Sequence, residues 1–527
     1  MKIPLLTSFT FKTWYKVSAL VLLCYLPFLF NFLWGNHDWG WVKEYTPLNS
    51  GVFEGRFSQF ILPTILFSGN ILPILSLAFG LIFYALAAIL LCRLWQMPEK
   101  SLPIILLSLC LVTAPYTLSW LYFAFLTLSC LSWPLAIIIS FLVLQNKSIK
   151  KTYAVIIATI FQTLALGGYP PVINMIGVIF FSLVINDLCL KQQSIKTLIK
   201  HYSKHLIAML CAVILLLLIQ HFLKAYNLQH DTYNTNEINF NELPSKLLLC
   251  TKTAIRQFFV TTSFIGYLYK YIMCCLFLLA IIRLYLNLPK RPLHIIIFIL
   301  LILAMSISSV TTLLVAENEN YVLYEPRIEF FGLLYIYIFS MSVLWRSSRT
   351  LIKNITLAAS VILILYNFNS VAYAAKIWSL GFTAENSLSE RIISRLEEKP
   401  EFMPQKHQYT FVQGGVLDFR SRYYIEDNTS HKDSYTLTAP YIPWHLPYKA
   451  YTFYYPYPFV KSDFDTYWRF ISPNDLPYTP SLKNYLTNTI DIWPYQAATY
   501  ISPELIILTL SAEGKWLAQK WYETNYQ

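Results

Sequence analysis

The sequence predicts a polytopic α-helical membrane protein with a C-terminal extracytoplasmic α+β domain, and three observations support this fold class. Hydrophobic residues make up 56% of the 527 positions and charged residues only 13%, which is far from the composition of soluble globular proteins. The apolar residues are gathered in long runs, and these runs stop near Lys376. We therefore predict a multi-span membrane domain over residues 1–375 and a separate domain over residues 376–527.

The membrane domain contains about eleven apolar runs that are long enough to cross the roughly 30 Å hydrocarbon layer of a bilayer as helices. The first run follows three lysines, as the apolar part of a signal peptide does, but it ends in Trp34 without a small-residue cleavage site. We therefore predict that it stays in the protein as a helix. The predicted spans are residues 17–34, 71–92, 103–118, 122–144, 153–168, 172–188, 205–223, 271–288, 293–314, 328–345 and 354–373.

The connections between the predicted spans differ in charge, and this difference predicts the orientation of the chain. Lys and Arg collect at the N-terminus and in alternate connections, and basic connections lie on the cytoplasmic side of membrane proteins. The N-terminus is then cytoplasmic, and an odd number of spans places residues 376–527 on the outer side. The formal net charge of +12 is explained by this distribution, so we predict no nucleic-acid partner.

The C-terminal domain is rich in Pro, Tyr, Asn and Asp and is long enough to bury a core of its own. Its first segment, "AENSLSERIISRLEEK", has apolar residues at helical spacing and predicts an amphipathic helix. The segments "QYTFVQGG" and "LIILTLS" predict strands. The aromatic stretch from Ala439 to Phe459 suits either packing of this domain or stacking against sugar rings.

Polar and unusual residues collect in the connections that we place on the outer side. The first outer loop, residues 35–70, reads "GNHDWGWVKEYTPLNSGVFEGRFSQF" from Gly35 to Phe60. A second connection carries "LGGYPP" around Tyr169, and another, "AENENYVLYEPR", ends in Arg327. We therefore predict that the functional site faces the outer side of the membrane.

An enzyme on the outer side has a restricted choice of substrates. Nucleotide sugars and ATP stay in the cytoplasm, so an activated sugar must arrive on a lipid such as a polyprenyl phosphate. The phosphate leaves without a proton, unlike the alcohol that a glycosidase expels with the help of a second carboxylic acid. One carboxylate for the acceptor hydroxyl and cations for the phosphate are then sufficient. Asp38, Arg56 and Arg327 together provide such a set.

Two segments of the first outer loop, "NHDWGW" and "GVFEGRFSQFIL", resemble the first outer loop of the type II O-antigen glucosyltransferases, which commonly show an Asp-Asp-Trp start and a later Gly-Arg. The "LGGYPP" turn and the closing segment "DIWPYQAATYISPELIILTLS" are similar to further features of that family. The resemblance covers nearly the whole chain. It implies an integral-membrane glycosyltransferase with a GT-C-like fold, located in the bacterial cytoplasmic (inner) membrane.

The resemblance also implies an activity and its partners. Such a protein moves a hexose, here glucose, from polyprenyl phosphate to a surface glycan such as O-antigen or a lipid-linked oligosaccharide, and a single displacement inverts the anomeric centre. The expected partners are the sugar donor, the glycan acceptor and the lipid bilayer. We predict no cofactor and no metal, because no second His or Cys stands at metal-ligand spacing from His37. A divalent ion held by Asp38, Glu317 and Glu319 is the weaker alternative.

The family pattern assigns the site residues only in part. Where the family often has two adjacent acids, this chain has His37 followed by Asp38. We predict Asp38 as the general base, with Glu44 and Glu54 as the alternatives for the catalytic carboxylate. For Trp39 the alternative to binding is an interfacial aromatic belt, and for the two arginines it is a snorkelling position at a helix end. The predicted substrate-binding residues are His37, Trp39, Arg56, Tyr169 and Arg327.

Two other function classes stay open on the sequence. An O-antigen polymerase or ligase has a similar number of spans but usually places its large outer loop between spans. A lipid-linked sugar flippase or transporter is expected to carry ionisable groups near the membrane midplane, whereas the predicted spans here are almost free of acids. Lys270 lies at the outer edge of a predicted span, where we expect a snorkelling side chain.

Overall fold

The protein forms two compact units, one ending at Lys376 and the other starting at Ile377. The first unit holds the apolar helices, and the second holds a small sheet with helices around it. The computed structural model describes residues 7–30, 51–70, 72–121, 124–228, 242–261, 265–314, 325–403, 406–407, 409–414, 479–503 and 505–526.

The first unit is built from helices, most of which consist almost entirely of apolar residues. The described ranges of this unit also include the 3₁₀ segments Pro115–Thr117 and Thr311–Leu314. The helices are α1 (Ser8–Cys24), α2 (Leu26–Leu29), α3 (Ile61–Phe67), α4 (Pro73–Leu94), α5 (Ser101–Val112), α6 (Leu118–Leu121), α7 (Ala124–Gln145), α8 (Lys151–Gly168), α9 (Val172–Cys189), α10 (Ile195–Ala225), α11 (Leu243–Arg256), α12 (Tyr267–Asn287), α13 (Pro292–Ser308), α14 (Glu325–Phe331), α15 (Leu333–Trp345) and α16 (Thr350–Glu397), which continues into the second unit.

Eight helices within the described residues are long and apolar enough to cross a membrane. The fold is therefore that of a polytopic helical membrane protein, as the sequence predicts, whereas the count of about eleven spans stays a prediction. Two of the predicted runs, 293–314 and 328–345, correspond to the shorter helices α13 and α15, which have 17 and 13 residues.

The interior of the first unit is formed by helices that are buried along most of their length. Helix α7 packs against α4 and α8, and α8 in turn packs against α10. Helix α9 packs against α13, and α12 packs against α15. Helices α5, α7, α9 and α15 are largely buried, whereas α10, α12 and α13 expose many apolar side chains. Apolar exposure of this kind is expected where a helix faces lipid.

The predicted span 328–345 is divided at Gly332. The backbone of Gly332 has φ −121° and ψ −85°, and a Cβ atom at this position would overlap the carbonyl oxygen of Ser309. The preceding run ends beside the same point, because α13 ends at Ser308 and a 3₁₀ turn follows. This close approach of two backbones separates the seven-residue helix α14 from α15.

The second unit contains a three-stranded sheet with the order β1-β3-β2, where β1 is Thr410–Gly414, β2 is Thr499–Ser502 and β3 is Leu505–Thr509. Strand β3 pairs in parallel with β1 and antiparallel with β2. All five residues of β3 are buried. The described helices beside the sheet are the end of α16, α17 (Pro480–Asn484) and α18 (Ala512–Tyr526).

The local elements predicted for this unit are present in the structure. The amphipathic helix forms the end of α16, where Ile392, Ile393 and Leu396 are buried. The two predicted strands correspond to β1 and β3. The aromatic stretch at 439–459 lies outside the described residues.

Candidate active site

Arg56 is placed by a tight turn that depends on two glycines. Gly55 has φ +72°, which L side chains rarely adopt. The Arg56 N–H donates to the Gly51 carbonyl at 2.7 Å, and a Cβ atom on Gly51 would lie 2.9 Å from the Arg56 carbonyl oxygen. The Gly-Arg pair of the first outer loop thus has a backbone reason: the glycine permits the turn that presents the arginine.

The turn is docked on the C-terminal end of α8, where two further glycines allow close packing. The ring of Phe57 occupies the place of a Cβ on Gly167, and the ring of Trp133 occupies that of Gly168. Ser58 donates from its N–H to the Gly167 carbonyl at 3.3 Å and from its hydroxyl to the Leu164 carbonyl at 2.5 Å. Because Tyr169 follows directly, these contacts bring Arg56 to Tyr169.

Arg327 is contributed by the short helix α14, which is far from Arg56 in the sequence. Ile328 packs into an apolar cluster with residues of α11 and the neighbouring 3₁₀ turn. Phe330 and Phe331 lie 5.7 and 5.6 Å, centroid to centroid, from the indole of Trp120. Phe331 also lies 5.7 Å from the ring of Tyr169. These apolar contacts hold α14 against the same aromatic rings that Arg56 approaches.

The two guanidinium groups meet at what we call the arginine–aromatic cluster, formed by Arg56, Arg327, Trp120 and Tyr169. The Arg56 Cζ atom is 5.8 Å from the Tyr169 ring centroid, and the Arg327 Cζ atom is 5.9 Å from that of Trp120. The two rings are 5.0 Å apart and perpendicular. These distances are within the range of cation–π attraction, so each arginine is supported by one ring.

Among the described side chains at the cluster, the charge balance is positive. Glu54 accepts from Arg56 at 3.1 Å, with exposed fractions of 22% for Glu54 and 33% for Arg56, whereas Arg327 is buried. Burial raises the pKa of Tyr169, and the nearby guanidinium groups of Arg327 and Arg56 oppose that rise by favouring the phenolate. Two cations and one carboxylate around a buried phenol make an environment suited to an anion.

The structure brings together four of the eight site residues predicted from the sequence. Glu54, Arg56, Tyr169 and Arg327 lie within this one cluster. The other predicted residues lie outside the described part of the chain. These are His37, Asp38, Trp39 and Glu44.

Trp120 is the member of the cluster that sequence reasoning missed. It lies in α6 between two predicted spans, and an aromatic residue near the end of an apolar run carries no signal that separates binding from packing. With respect to metals, no group of three His, Cys, Asp or Glu side chains comes together in the described ranges. Glu317 and Glu319 fall outside those ranges.

Lys270 does not snorkel, and that prediction is wrong. Its side chain is only 1% exposed and its Nζ atom lies 2.7 Å from a carboxylate oxygen of Glu329, which is 2% exposed. Lys270 belongs to the first turn of α12, and Glu329 belongs to α14. The physical reason is that the Glu329 carboxylate, the Gln257 carbonyl and the Tyr116 ring surround the ammonium group, so it is paired inside the protein and does not reach a membrane surface.

The sequence matches a known protein family over the region that carries this cluster. The model of the glucosyl transferase GtrII family matches residues 43–345, which is more than half of the chain. The chain belongs to the GtrII glucosyl transferase family. The resemblance to the type II O-antigen glucosyltransferases is thereby confirmed, and the protein is a membrane glycosyltransferase.

The matched segment contains the whole arginine–aromatic cluster of this GtrII family member. It also contains Glu44 and begins five positions after Asp38. A comparison with curated proteins and one with solved structures gave no match. The family therefore supports glucosyl transfer by the region that carries the cluster, whereas the assignment of Asp38 is based on the sequence of the first outer loop.

Proposed function

We propose that this GtrII family member transfers glucose from polyprenyl phosphate to a surface glycan such as O-antigen, on the outer side of the bacterial cytoplasmic membrane. The observation that carries the proposal is the meeting of Arg56 and Arg327 on one pair of aromatic rings. These arginines are far apart in the sequence, and both fall in connections that the charge distribution places on the outer side.

The cluster suits the phosphate of a lipid-linked sugar. A guanidinium group presents several N–H donors in one plane, and a ring within cation–π distance stabilises its charge. Two arginines held in this way match the oxygens of a phosphodiester with charge-assisted hydrogen bonds. In this proposal Arg56 and Arg327 hold the donor phosphate and stabilise the charge that develops on it as the sugar departs.

The chemical step needs one base. The acceptor hydroxyl oxygen bonds to the anomeric carbon while the bond from that carbon to the phosphate oxygen breaks. The electron pair of the broken bond stays on polyprenyl phosphate, and the hydroxyl proton passes to a carboxylate. We assign the carboxylate to Asp38, because Asp38 lies in the segment that resembles the start of the family's first outer loop, with Glu44 and Glu54 as the alternatives. One displacement of this kind inverts the anomeric centre.

The buried ion pair between Lys270 and Glu329 does not support the transporter alternative. Lys270 is the fourth residue of α12, so the Lys270–Glu329 pair lies at the end of a span. Ion and substrate sites of transporters lie near the midplane of the membrane. The pair thus belongs to the end of the helix bundle where the arginine–aromatic cluster is found.

The experiment that tests the proposal is sugar transfer in membranes that contain the protein, supplied with polyprenyl-phosphate glucose and a lipopolysaccharide acceptor. We expect Asp38→Asn to lower the rate about 100-fold or more, as removal of a general base does. Glu99→Gln, in an exposed connection predicted to be cytoplasmic, is the matched control and should transfer at the wild-type rate.

The outcomes separate the parts of the proposal. Wild-type rates in Asp38→Asn would reassign the base to Glu44 or Glu54. A wild-type protein that transfers no glucose from this donor would overturn the donor assignment. Analysis of the product anomer by NMR tests the stereochemistry, since retention of the donor configuration contradicts a single displacement.

A further inference from the structure

We propose that Lys270 and Glu329 are positioning residues: their buried ion pair fixes the rotation of α14 and thereby holds Arg327 in place for the donor phosphate. This inference rests on the proposed function, because it concerns the residue assigned to the phosphate. Neither residue was singled out as functional by the sequence.

The pair is completely enclosed and has several contacts. Lys270 Nζ lies 2.7 Å from Glu329 Oε2 and donates to the Gln257 carbonyl at 2.6 Å. The same ammonium group is 5.5 Å from the ring centroid of Tyr116. Lys270 is thus bound to three neighbours, one of which is the glutamate of α14.

The geometry of a helix explains how Glu329 acts on Arg327. Residues two positions apart in an α-helix point in directions about 200° apart around the axis. Glu329 on Lys270 and Arg327 on Trp120 therefore project from opposite sides of α14. A rotation of α14 that moves one side chain from its partner moves the other as well, so fixing Glu329 fixes Arg327.

Helix α14 needs such a directional contact. It has seven residues, and helices this short are not stable by themselves. Ile328, Phe330 and Phe331 make apolar contacts that bury the helix, and the ion pair adds a polar contact to these. An ion pair at 2.7 Å has a defined direction and distance.

The same network reaches the end of α14. The Gln257 side chain donates to the Ser309 hydroxyl at 2.5 Å, and the Ser309 carbonyl is the group that leaves no room for a Cβ at Gly332. Lys270 is bound to the Gln257 carbonyl. The middle of α14 and the break that ends it are therefore connected through Gln257.

Stability alone is a poor explanation for this pair. Removing two charges from water has a large desolvation cost, and well-packed apolar residues often replace a buried ion pair without loss of stability. Lys191 and Asp187 form an ion pair of the same 2.7 Å length elsewhere in the first unit, but Lys191 is 36% exposed. Lys191→Met is therefore the matched control.

The test is a double-mutant cycle with donor and acceptor kinetics. We expect Glu329→Gln to raise the KM for polyprenyl-phosphate glucose about tenfold and to leave the acceptor KM unchanged. In an Arg327→Gln background the same substitution should change the donor KM less than twofold, because the residue through which it acts is missing. Equal effects in both backgrounds would contradict the inference.

A second variant separates positioning from stability. Lys270→Met/Glu329→Leu removes both charges, so it leaves no charge buried alone, and we expect it to unfold at or above the wild-type temperature. Its donor KM should still rise about tenfold, whereas Lys191→Met should keep the wild-type value. A folded double variant with a wild-type donor KM would show that the pair is only structural.

Hydrogen exchange distinguishes failure of this inference from failure of the proposed function. If wild type transfers no glucose from this donor, the amides of residues 325–331 still report on α14. We expect faster exchange there in the double variant and no change in Lys191→Met. Unchanged exchange in the double variant would overturn the positioning role whatever the substrate is.

Discussion

Two pairs of arginines in the first unit have opposite surroundings. Arg346 donates to the Trp95 carbonyl at 2.9 Å and to the Asn186 side chain at 2.6 Å. Arg283 donates to two carbonyls in the last turn of α15, at 2.7 and 3.1 Å. These capping arginines satisfy helix C-terminal carbonyls that have no partner within the helix.

Arg56 and Arg327 instead lie against the rings of Tyr169 and Trp120. A ring at this distance attracts the charge of the guanidinium group, whereas a carbonyl accepts hydrogen bonds from its N–H donors. The difference teaches which arginines serve the fold and which serve a ligand. Capping arginines should affect stability, and the arginines of the arginine–aromatic cluster should affect catalysis.

The largest effect is expected at Arg327. Arg327→Gln should lower the rate of glucosyl transfer about 100-fold or more, because a cation aimed at the developing phosphate charge is lost. The measurement is the transfer rate per folded protein, with folding assessed by gel filtration in detergent. A loss smaller than threefold would break the comparison, since Arg327 would then behave like a capping arginine.

The close packing under Arg56 should have the next largest effect. Gly167→Ala forces a methyl group into the place of the Phe57 ring, so the turn that presents Arg56 must move. We expect transfer to fall about tenfold through misplacement of Arg56 and stability to fall by about 1–3 kcal/mol. Gly266→Ala is the control, because among the described residues its Cβ would approach the Tyr366 hydroxyl alone, at 3.1 Å. Equal rates for the two variants would argue against this role of Gly167.

Arg346 should show the reverse pattern. Arg346→Gln removes donors from the Trp95 carbonyl and from Asn186, and an unsatisfied buried acceptor costs about 1–3 kcal/mol. We expect a lower thermal unfolding temperature in detergent and an unchanged transfer rate per folded protein. Reduced transfer at unchanged stability would remove the distinction between the two pairs.

The smallest of the expected losses of transfer is at the ring of Tyr169, near Arg56. Tyr169→Leu removes the ring and should lower the transfer rate about fivefold, in keeping with a cation–π contact of about 1 kcal/mol. Tyr169→Phe keeps the ring and should lower the rate about twofold at most. If both variants transfer glucose more slowly than wild type and by the same factor, the hydroxyl and not the ring is the important feature of Tyr169.

The sequence predicts the helical membrane fold and individual members of the cluster, for reasons that are local. Long apolar runs require helices in a membrane, and Arg56, Tyr169 and Arg327 stand out because they fall in connections that are predicted to lie on the outer side. The breaks within runs were not predicted. Gly332 divides a run because the Ser309 backbone approaches it in space. A single glycine within an apolar run does not predict such an approach.

Pairings between distant segments were also beyond the sequence. Lys270 and Glu329 are 59 positions apart, and no periodicity connects them, so the lysine was assigned to the membrane surface. Trp120 likewise becomes informative only once Arg327 is seen against it. The roles of Asp38 and the other residues of the first outer loop stay predictions, because they lie outside the described residues.

The ion pair between Glu54 and Arg56 has a consequence for turnover. Under the proposed chemistry the donor is a phosphodiester with one negative charge, whereas the released polyprenyl phosphate is a monoester with a charge between one and two. The two arginines would therefore retain the product more strongly than the donor. Glu54, 3.1 Å from Arg56, is a built-in competitor for that guanidinium group. Under the same chemistry, a return of Glu54 to Arg56 would weaken product inhibition and free the enzyme for the next sugar.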